Sequence, residues 1–347
     1  MRLLVLGGTE FVGRAVVEAA LGRGWDVTVF HRGRHAPPAG VRSLHGDRTA
    51  PGGLAALAEG EWDVVVDTWS AAPLVVRDAA RLLKDRVRQY VYVSSRSVYA
   101  WPQPAGQDEN GRLVEGASAD AGQTDYARDK RGGELAVLDA FGEERSLLVR
   151  AGLILGPYEN IGRLPWWLTR AARGGPVLAP GPRELPLQYI DVRDLAEWIL
   201  GATEGAKDGA GGASGAYDLV SPSGHATTGT LLDACARVTG GRAELRWTEP
   251  DLILAAGIEP WTQLPVWVPP DSELHDMLHR ADVSKAVRSG LRCRPVSETV
   301  ADTWSWLQDI GGTAPQRPDR PAVGLDPAVE EKVLGDVKER EERALGD

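Results

Sequence analysis

Three side chains near the middle of the sequence have types and a spacing that suit proton transfer. Tyr126 and Lys130 are four residues apart, so a helix running to Ala140 places them on one face. A phenol normally titrates near pH ~10, and a neighbouring ammonium favours its ionised form, which suits acid–base work at neutral pH. Ser95 ends a predicted strand, where its hydroxyl can donate a hydrogen bond to a substrate oxygen. The plainer alternative is a Tyr and a Lys that only stabilise a helix.

The start of the chain has the form of a dinucleotide site. Four apolar residues at 3–6 predict a buried strand, and Gly7, Gly8 and Gly13 predict a tight turn into a helix. The N–H groups at such a helix start face a pyrophosphate, which the helix dipole favours. Glu10 stands where a glycine usually lets the backbone approach the pyrophosphate. Either its carboxylate points to solvent and Gly8 provides the close approach, or phosphate binding is weakened.

Alternating strand and helix patterns follow this turn. Apolar or β-branched runs predict further strands at 25–30, 41–44, 63–67 and 89–95. The alternation predicts an α/β fold with a doubly wound parallel (Rossmann) sheet and a smaller C-terminal α+β substrate lobe. We expect residues 1–156 to form the dinucleotide-binding domain, with 188–204 and parts of the later chain packing back on it. Residues 157–312 would form the substrate lobe, and 313–347 a linker with a charged helix at 326–345.

The residues after the second predicted strand bear on the choice of cofactor. An NAD-preferring site places an acidic residue there for the ribose 2′-OH, but the chain has His31, Arg32 and Arg34. The two guanidinium groups could bind a 2′-phosphate, which favours NADP over NAD, although an exposed basic loop is the simpler interpretation. Thr68, Trp69 and Ser70 follow the fourth strand and would line the cofactor groove. Lys130 would also bind the nicotinamide ribose.

Composition excludes several classes of function. The formal net charge of -10 argues against a nucleic-acid surface. The 2 cysteines are far apart in sequence, so neither a disulfide framework nor a metal cluster is predicted. The apolar run at the start is too short for a signal peptide, and no stretch approaches the length of a membrane span. We therefore expect a cytoplasmic protein that binds no membrane.

Six motifs together resemble the extended or atypical short-chain dehydrogenases/reductases of the NAD-dependent epimerase/dehydratase family. They are Gly-Gly-Thr-Glu-Phe-Val-Gly at 7–13, Gly-Asp at 46–47, Tyr-Val-Ser-Ser-Arg-Ser-Val-Tyr at 92–99, Tyr126 with Lys130, Arg-Ala-Gly-Leu-Ile-Leu-Gly-Pro at 150–157 and Gln-Tyr-Ile-Asp-Val-Arg-Asp-Leu-Ala at 188–196. The resemblance extends to about residue 306 and implies a catalytic role for Ser95, four residues before Tyr99. It also implies that Asp47 binds the adenine amine, although a turn or cap role is nearly as plausible.

These observations give a full set of candidate site residues. The catalytic candidates are Ser95, Tyr126 and Lys130. The cofactor-binding candidates are Gly7, Thr9, Glu10, Phe11, Val12, Gly13, His31, Arg32, Arg34, Asp47, Arg48, Thr68, Trp69, Ser70, Ser94, Tyr126 and Lys130. No metal ligand is expected.

The first functional hypothesis is an NADP(H)-dependent reductase. Hydride would pass to or from a carbonyl or hydroxyl carbon of a small molecule, Tyr126 would exchange the proton, and Ser95 would polarise the oxygen. One alternative is a nucleotide-sugar epimerase or dehydratase with tightly bound NAD(P), in which hydride leaves and returns. Another is a non-catalytic cofactor-sensing or RNA-binding protein, since the glycine motif also resembles chloroplast RNA-binding relatives. The oligomeric state stays open, with a homodimer as one option.

The later chain carries weaker signals. Five tryptophans could line a pocket, but a lobe core is the simpler interpretation; they are Trp166, Trp167, Trp247, Trp261 and Trp267. Arg163 and Arg183 could meet an anionic substrate. His275 and His279 are one helical turn apart, and a solvated helix face is favoured over a metal site. Residues 207–215 are predicted to form a surface loop.

Overall fold

The computed structural model describes residues 1–206 and 212–346. Its strands are β1 (Arg2–Leu6), β2 (Asp26–His31), β3 (Arg42–His45), β4 (Trp62–Asp67), β5 (Val87–Ser95), β6 (Ser146–Ala151), β7 (Ile154–Leu155), β8 (Gly175–Pro180), β9 (Pro186–Leu187), β10 (Ile190–Asp191), β11 (Gly215–Leu219), β12 (Ala226–Thr227), β13 (Ala243–Thr248), β14 (Pro260–Trp261) and β15 (Leu264–Pro265). Its α-helices are α1 (Phe11–Gly22), α2 (Pro73–Leu83), α3 (Tyr126–Phe141), α4 (Arg163–Arg173), α5 (Val192–Thr203), α6 (Thr228–Val238), α7 (Pro250–Ala255), α8 (Glu273–His279), α9 (Ser284–Arg288), α10 (Val296–Asp309) and α11 (Pro327–Gly346).

The chain divides into two compact units, each built from separate segments. The first unit contains residues 1–154, 190–221 and 282–293, and the second contains 155–189, 222–281 and 294–347. Residues 207–211, the first part of the predicted loop at 207–215, lie outside the described residues.

The first unit contains a seven-stranded sheet in the order β11-β6-β5-β4-β1-β2-β3. Every neighbouring pair in it is parallel. The strand order reverses between β1 and β4, so the carboxyl ends of these strands border the crevice where doubly wound sheets bind ligands. The predicted α/β class and doubly wound parallel sheet are confirmed.

Both faces of this sheet are covered by helices. On one face, Val16 of α1 and Leu195 of α5 pack with Leu3 and Val5 of β1. On the other, Val76 of α2 and Ala136 of α3 pack with Leu4 of β1. Because both faces are buried, the strands read as continuous apolar runs rather than as alternating ones.

The second unit buries part of its tryptophan set as core. Trp167 and Trp267 are buried, and their indole N–H groups donate to the carbonyls of Pro265 (2.7 Å) and Gly181 (3.2 Å). The other three tryptophans of the set are partly exposed. The two arginines considered for an anionic substrate lie over two of these rings. The guanidinium of Arg163 is 5.0 Å from the centre of the Trp261 ring, and that of Arg183 is 5.4 Å from the centre of the Trp247 ring.

The histidines of α8 correct a prediction made from the sequence. His275 and His279 are buried at 4% and 2% exposure, so they do not form a solvated helix face. His275 Nε2 lies 3.2 Å from the Pro186 carbonyl, and His279 Nδ1 accepts from the Gln188 N–H at 3.2 Å. The prediction was wrong because Glu273 and Asp276 of the same short helix are exposed and partly exposed, whereas the two histidines lie on its buried side. Within the described ranges, no group of three or more His, Cys, Asp or Glu side chains could hold a metal ion.

None of the helices in residues 1–206 and 212–346 combines the length with the apolar character that crossing a bilayer requires.

Candidate active site

The glycine turn after β1 depends on three glycines that have different structural roles. Gly7 is exposed and has a φ of 96°, which side chains rarely adopt. A Cβ on Gly13 would lie 2.2 Å from the Gly7 carbonyl oxygen, so only glycine lets α1 approach the turn so closely. A Cβ on Gly8 would lie 2.8 Å from a Val17 methyl group. Gly8 therefore serves helix–strand packing, and Gly7 is the glycine with accessible backbone.

Glu10 precedes α1 in extended backbone, and its side chain points outward. The carboxylate is half exposed and lies 3.7 Å from His35 Nε2. Phe11 has a φ of 35°, an unusual value for a bulky residue, where the chain turns into the helix. Thr9 is partly exposed and Val12 is buried beside them. The outward carboxylate of the first alternative matches this geometry, but its assignment of the close approach to Gly8 does not, because Gly8 is buried and Gly7 has the exposed backbone.

Charged side chains follow the ends of β2 and β3, at one edge of the sheet. Arg32 and Arg34 are exposed in the loop after β2. Asp47, after β3, accepts from the Thr49 hydroxyl (2.7 Å) and N–H (3.0 Å). These hydrogen bonds, followed by Arg32 and Arg34, lower the pKa of Asp47. The carboxylate is therefore ionised beside the two guanidinium groups.

Arg48, a predicted cofactor contact, forms a buried ion pair. Its guanidinium binds Asp67 through two bonds of 2.6 and 2.7 Å and lies over the Trp69 ring at 5.3 Å. Burial opposes ionisation of Asp67, but the Arg48 pair outweighs it and lowers the pKa of that carboxyl. Asp67 also accepts from the Tyr90 hydroxyl at 2.6 Å and from the Trp69 N–H at 3.0 Å.

Asp67 thereby fixes the loop that carries the groove candidates Thr68, Trp69 and Ser70. All three residues are partly exposed, and the Thr68 hydroxyl donates to the Leu6 carbonyl at 3.1 Å. Asp67 was not selected from the sequence. An acidic residue at the end of an otherwise apolar strand was the signal that could have identified it.

Lys130 is buried between this loop and β5. Its ammonium donates to the carbonyls of Trp69 and Val93, both at 2.6 Å, and lies 4.8 Å from the centre of the Tyr92 ring. The side chain is 3% exposed. Lys130 therefore fastens α3 to the loop after β4 and to the end of β5.

Tyr126 is the first residue of α3 and is 37% exposed. Asp125 caps the helix there by accepting from the Arg128 N–H at 3.1 Å. Burial, then Asp67 and Tyr126, raise the pKa of Tyr92. The phenol of Tyr126 is thus accessible and lies on the same helix as Lys130.

The serines at the end of β5 have separate partners. The Ser95 hydroxyl accepts from the Ser97 N–H at 3.1 Å, while the Ser94 hydroxyl donates to Glu134 at 2.8 Å. Glu134, on α3, also accepts from Arg150 of β6 at 2.9 Å. Sequence reasoning missed Glu134, which links three elements that carry or border the candidate catalytic residues.

One protein family matches more than half of the chain. Residues 3–214 match the model of the NAD dependent epimerase/dehydratase family. Among curated proteins, no sequence match is found.

Solved structures share the fold at low sequence identity. The Bordetella bronchiseptica enzyme WbmG in complex with NAD and UDP is 17% identical, with a TM-score of 0.64 over 93% of this chain and 99% of that one. The B. bronchiseptica enzyme WbmH in complex with NAD+ is 16% identical, with a TM-score of 0.63 over 89% and 99%. UDP-glucuronic acid 4-epimerase from Bacillus cereus in complex with NAD is 14% identical, with a TM-score of 0.61 over 89% and 99%.

Proposed function

The chain belongs to the NAD dependent epimerase/dehydratase family, and on that premise we propose that it is a redox-neutral epimerase or dehydratase of a nucleotide sugar. Structures that share its fold are described as 4-epimerases or as complexes with NAD and UDP, which supports this reading over the net reduction favoured from the sequence. The proposal assigns one NAD(P) to each chain, kept bound through the catalytic cycle.

The residues present fit such a cofactor. The Gly7–Gly13 turn brings the N-terminus of α1 against exposed backbone at the end of β1, which suits a pyrophosphate. Glu10 points outward, so its charge does not oppose an anion there. When bound, NAD(P) supplies a hydride acceptor that can also return the hydride.

The roles of the protein side chains follow from their burial. Tyr126 is exposed, so its phenol can take a proton from a substrate hydroxyl and give it back. The Ser95 hydroxyl donates a hydrogen bond to the same substrate oxygen. The bonds from Lys130 to Trp69 and Val93 hold the helix of Tyr126 in place.

The observation that carries the proposal is the anchoring of Lys130. A buried ammonium is costly unless its hydrogen bonds are satisfied, yet here it stands one helical turn from an exposed tyrosine. A Tyr and Lys that only stabilised a helix would both lie in solvent. The arrangement therefore favours a functional pair.

The test is turnover without added cofactor. Purified protein is denatured, and the released nucleotide is identified by chromatography. Native protein is then incubated with a panel of UDP-sugars, and products are separated while NAD(P)H absorbance is followed. We expect epimer or dehydrated product with no net absorbance change, whereas product formed with stoichiometric NAD(P)H consumption would overturn the proposal.

A second candidate is the NADP(H)-dependent reductase. It is favoured by one observation: β2 ends at His31 and continues into Arg32 and Arg34, with no carboxylate at the usual ribose position. If this candidate is correct, NADPH binds more tightly than NADH by about 1–3 kcal/mol. The direct test of this candidate is to incubate the protein with NADPH and a panel of carbonyl compounds and to measure the loss of NADPH.

A further inference from the structure

Two histidines meet at the edge of the sheet where β2 and β3 end. His31 and His45 are register partners, and their ring centres are 4.6 Å apart. His31 is 8% exposed, whereas His45 is exposed. A buried imidazole thus lies beneath an accessible one, at the strand end that borders the adenosine half of a bound dinucleotide.

The hydrogen bonding of His31 leaves a donor available. Its Nδ1 accepts from the Gly33 N–H at 3.2 Å, so in the neutral ring the proton is on Nε2. Within residues 1–206 and 212–346, Nε2 has no hydrogen-bond partner. A buried N–H without an acceptor is unfavourable, and an anionic oxygen would satisfy it. His45 is on the surface, so its ring can rotate away and let an anionic oxygen reach His31 Nε2.

The groups around the pair favour an anion. Arg32 and Arg34 flank Gly33, and a Cβ on Gly33 would lie 3.3 Å from the His45 ring. The negative groups nearby are Asp47, which interacts with both arginines, and Glu10, which lies beside His35. Arg48 is committed to Asp67.

We propose that His45 and His31, with Arg32 and Arg34, recognise the 2′-phosphate of NADP(H) and take up a proton when they bind it. The inference rests on the proposed cofactor site but concerns only the adenosine half of the cofactor. It is therefore compatible with either reaction proposed above. Cofactor selection would then depend on pH, with NADPH favoured most in mildly acidic solution.

The direction of the pH effect follows from burial. Burial, and then the neighbouring His45, lower the pKa of His31, so its ring is neutral in the unliganded protein near pH ~7. A phosphate dianion against the pair favours the imidazolium form and raises that pKa again. Binding is accordingly coupled to proton uptake and weakens as pH rises.

The test compares cofactor binding across pH without measuring turnover. The dissociation constants of NADPH and NADH are measured from about pH 6.5 to about 8.5, where the phosphate stays largely dianionic. We expect the preference for NADPH to fall by up to about tenfold per pH unit for one linked proton. Calorimetry in buffers of different ionisation enthalpy should show proton uptake with NADPH and not with NADH.

Three variants and a second ligand complete the test. His45→Gln and His31→Gln should each reduce the proton uptake, and His45→Gln, on the surface, remains informative if the buried variant misfolds. His35→Gln is the matched control, because it removes an exposed histidine of the same loop and should leave the uptake unchanged. A preference for NADPH that is constant with pH, or unaltered in His45→Gln, would overturn the inference. Equal uptake with inorganic phosphate alone would overturn the assignment to the cofactor.

The two proposals fail separately. Turnover of a nucleotide sugar without proton-linked NADPH binding overturns only the histidine site. Linked binding without turnover overturns only the reaction.

Discussion

At the scale of single residues, Tyr126 differs in accessibility from the residues that hold its surroundings in place. Tyr126 is exposed, whereas Lys130 and Asp67 are buried and fully engaged with backbone and side chains. Accessible groups can exchange protons with a substrate, and buried ones fix geometry. Replacement of Tyr126 should therefore affect chemistry alone, and replacement of Lys130 both chemistry and stability.

Tyr126→Phe removes the phenolic proton donor and keeps the ring. Proton-transfer catalysis contributes roughly 10²–10⁴-fold, so kcat should fall by that factor. Cofactor affinity and the denaturation midpoint should change little, because Tyr126 is 37% exposed and its ring is kept. Steady-state kinetics and a fluorescence titration measure the two quantities. Full activity in this variant would mean that the proton donor is another residue or that the chain is not an enzyme.

Lys130→Met should lower stability as well as turnover. The change leaves the carbonyls of Trp69 and Val93 without their donor, which costs about 1–3 kcal/mol of unfolding free energy. The loop after β4 loses its anchor, so cofactor binding should weaken too. Urea denaturation and cofactor titration check the two effects. Unchanged stability would contradict the anchoring role assigned here.

At the scale of elements, the position of α3 decides where Tyr126 and Lys130 stand. Gly132 and Gly133 let this helix approach its neighbours, and Glu134 binds Ser94 of β5 and Arg150 of β6. The sequence predicted α3 and the places of Tyr126 and Lys130 on it. It did not predict why the helix lies so close to β5, because that depends on which side chain faces the glycines across the packing.

Gly133→Ala tests that close approach. The added Cβ would lie 2.4 Å from the buried Tyr92 hydroxyl, so α3 or the ring must shift. Overpacking of this kind typically lowers the free energy of unfolding by about 1–3 kcal/mol. Turnover should fall as well, because α3 carries Tyr126.

Gly201→Ala is the matched control for that substitution. Gly201 lies in α5, is exposed and has no atom within 4 Å of its built Cβ. Alanine there should stabilise the protein by about 0.5–1 kcal/mol through helix propensity. Thermal denaturation of both variants distinguishes the cases, and equal effects would show that Gly133 has no special packing role.

Helix α4 provides a pH-dependent prediction. Glu159 is fully buried and accepts from the N–H groups of Arg163 (2.7 Å) and Leu164 (3.0 Å) at the start of the helix. Burial raises the pKa of Glu159 to about 7. Because the native pKa lies above the unfolded value of about 4.3, the native state binds the proton more tightly. The contribution of protonated Glu159 to the free energy of unfolding is thus full below about pH 4.3 and is lost as pH rises through about 7.

Glu159→Gln should remove this pH dependence. The wild-type protein should lose more unfolding free energy between about pH 5 and 8 than the variant, whatever the variant's absolute stability. Urea denaturation at several pH values measures the difference. Glu244→Gln, which changes an exposed carboxylate in the same unit, should keep the wild-type slope. Parallel slopes for wild type and Glu159→Gln would refute the prediction.

At the scale of the whole molecule, the sequence indicated the strands of the sheet better than the contacts between residues far apart in the chain. Strong apolar runs identified β1, β4 and β5 to within two residues, since parallel strands buried on both faces leave that signature. The buried pairs Arg48–Asp67 and Arg170–Glu330 join residues far apart in sequence, so no local pattern could reveal them. The same holds for His275 and His279, whose burial depends on segments that precede them by many residues.

The first part of the C-terminal helix α11 packs within the second unit. Glu330 is buried, with one oxygen accepting from Arg170 Nε at 2.6 Å and the other from the Leu178 N–H at 3.1 Å. Val333, one turn further on, is buried as well. The first turns of α11 are therefore a structural part of this unit.

Glu330→Gln should be strongly destabilising, because it leaves the buried Arg170 guanidinium without a compensating charge. The expected loss is about 3–5 kcal/mol of unfolding free energy. Replacing both partners, as in Arg170→Met with Glu330→Met, should recover much of that loss, since no unpaired charge then remains. Glu339→Gln is the matched control: it lies on the same helix and is exposed beside Arg343, so its effect should stay within about 0.5 kcal/mol. Urea denaturation of the four proteins gives the energies. If the Glu330 and Glu339 variants were equally stable, α11 would not be anchored through this pair, and the charged helix would be dispensable to the unit on which it packs.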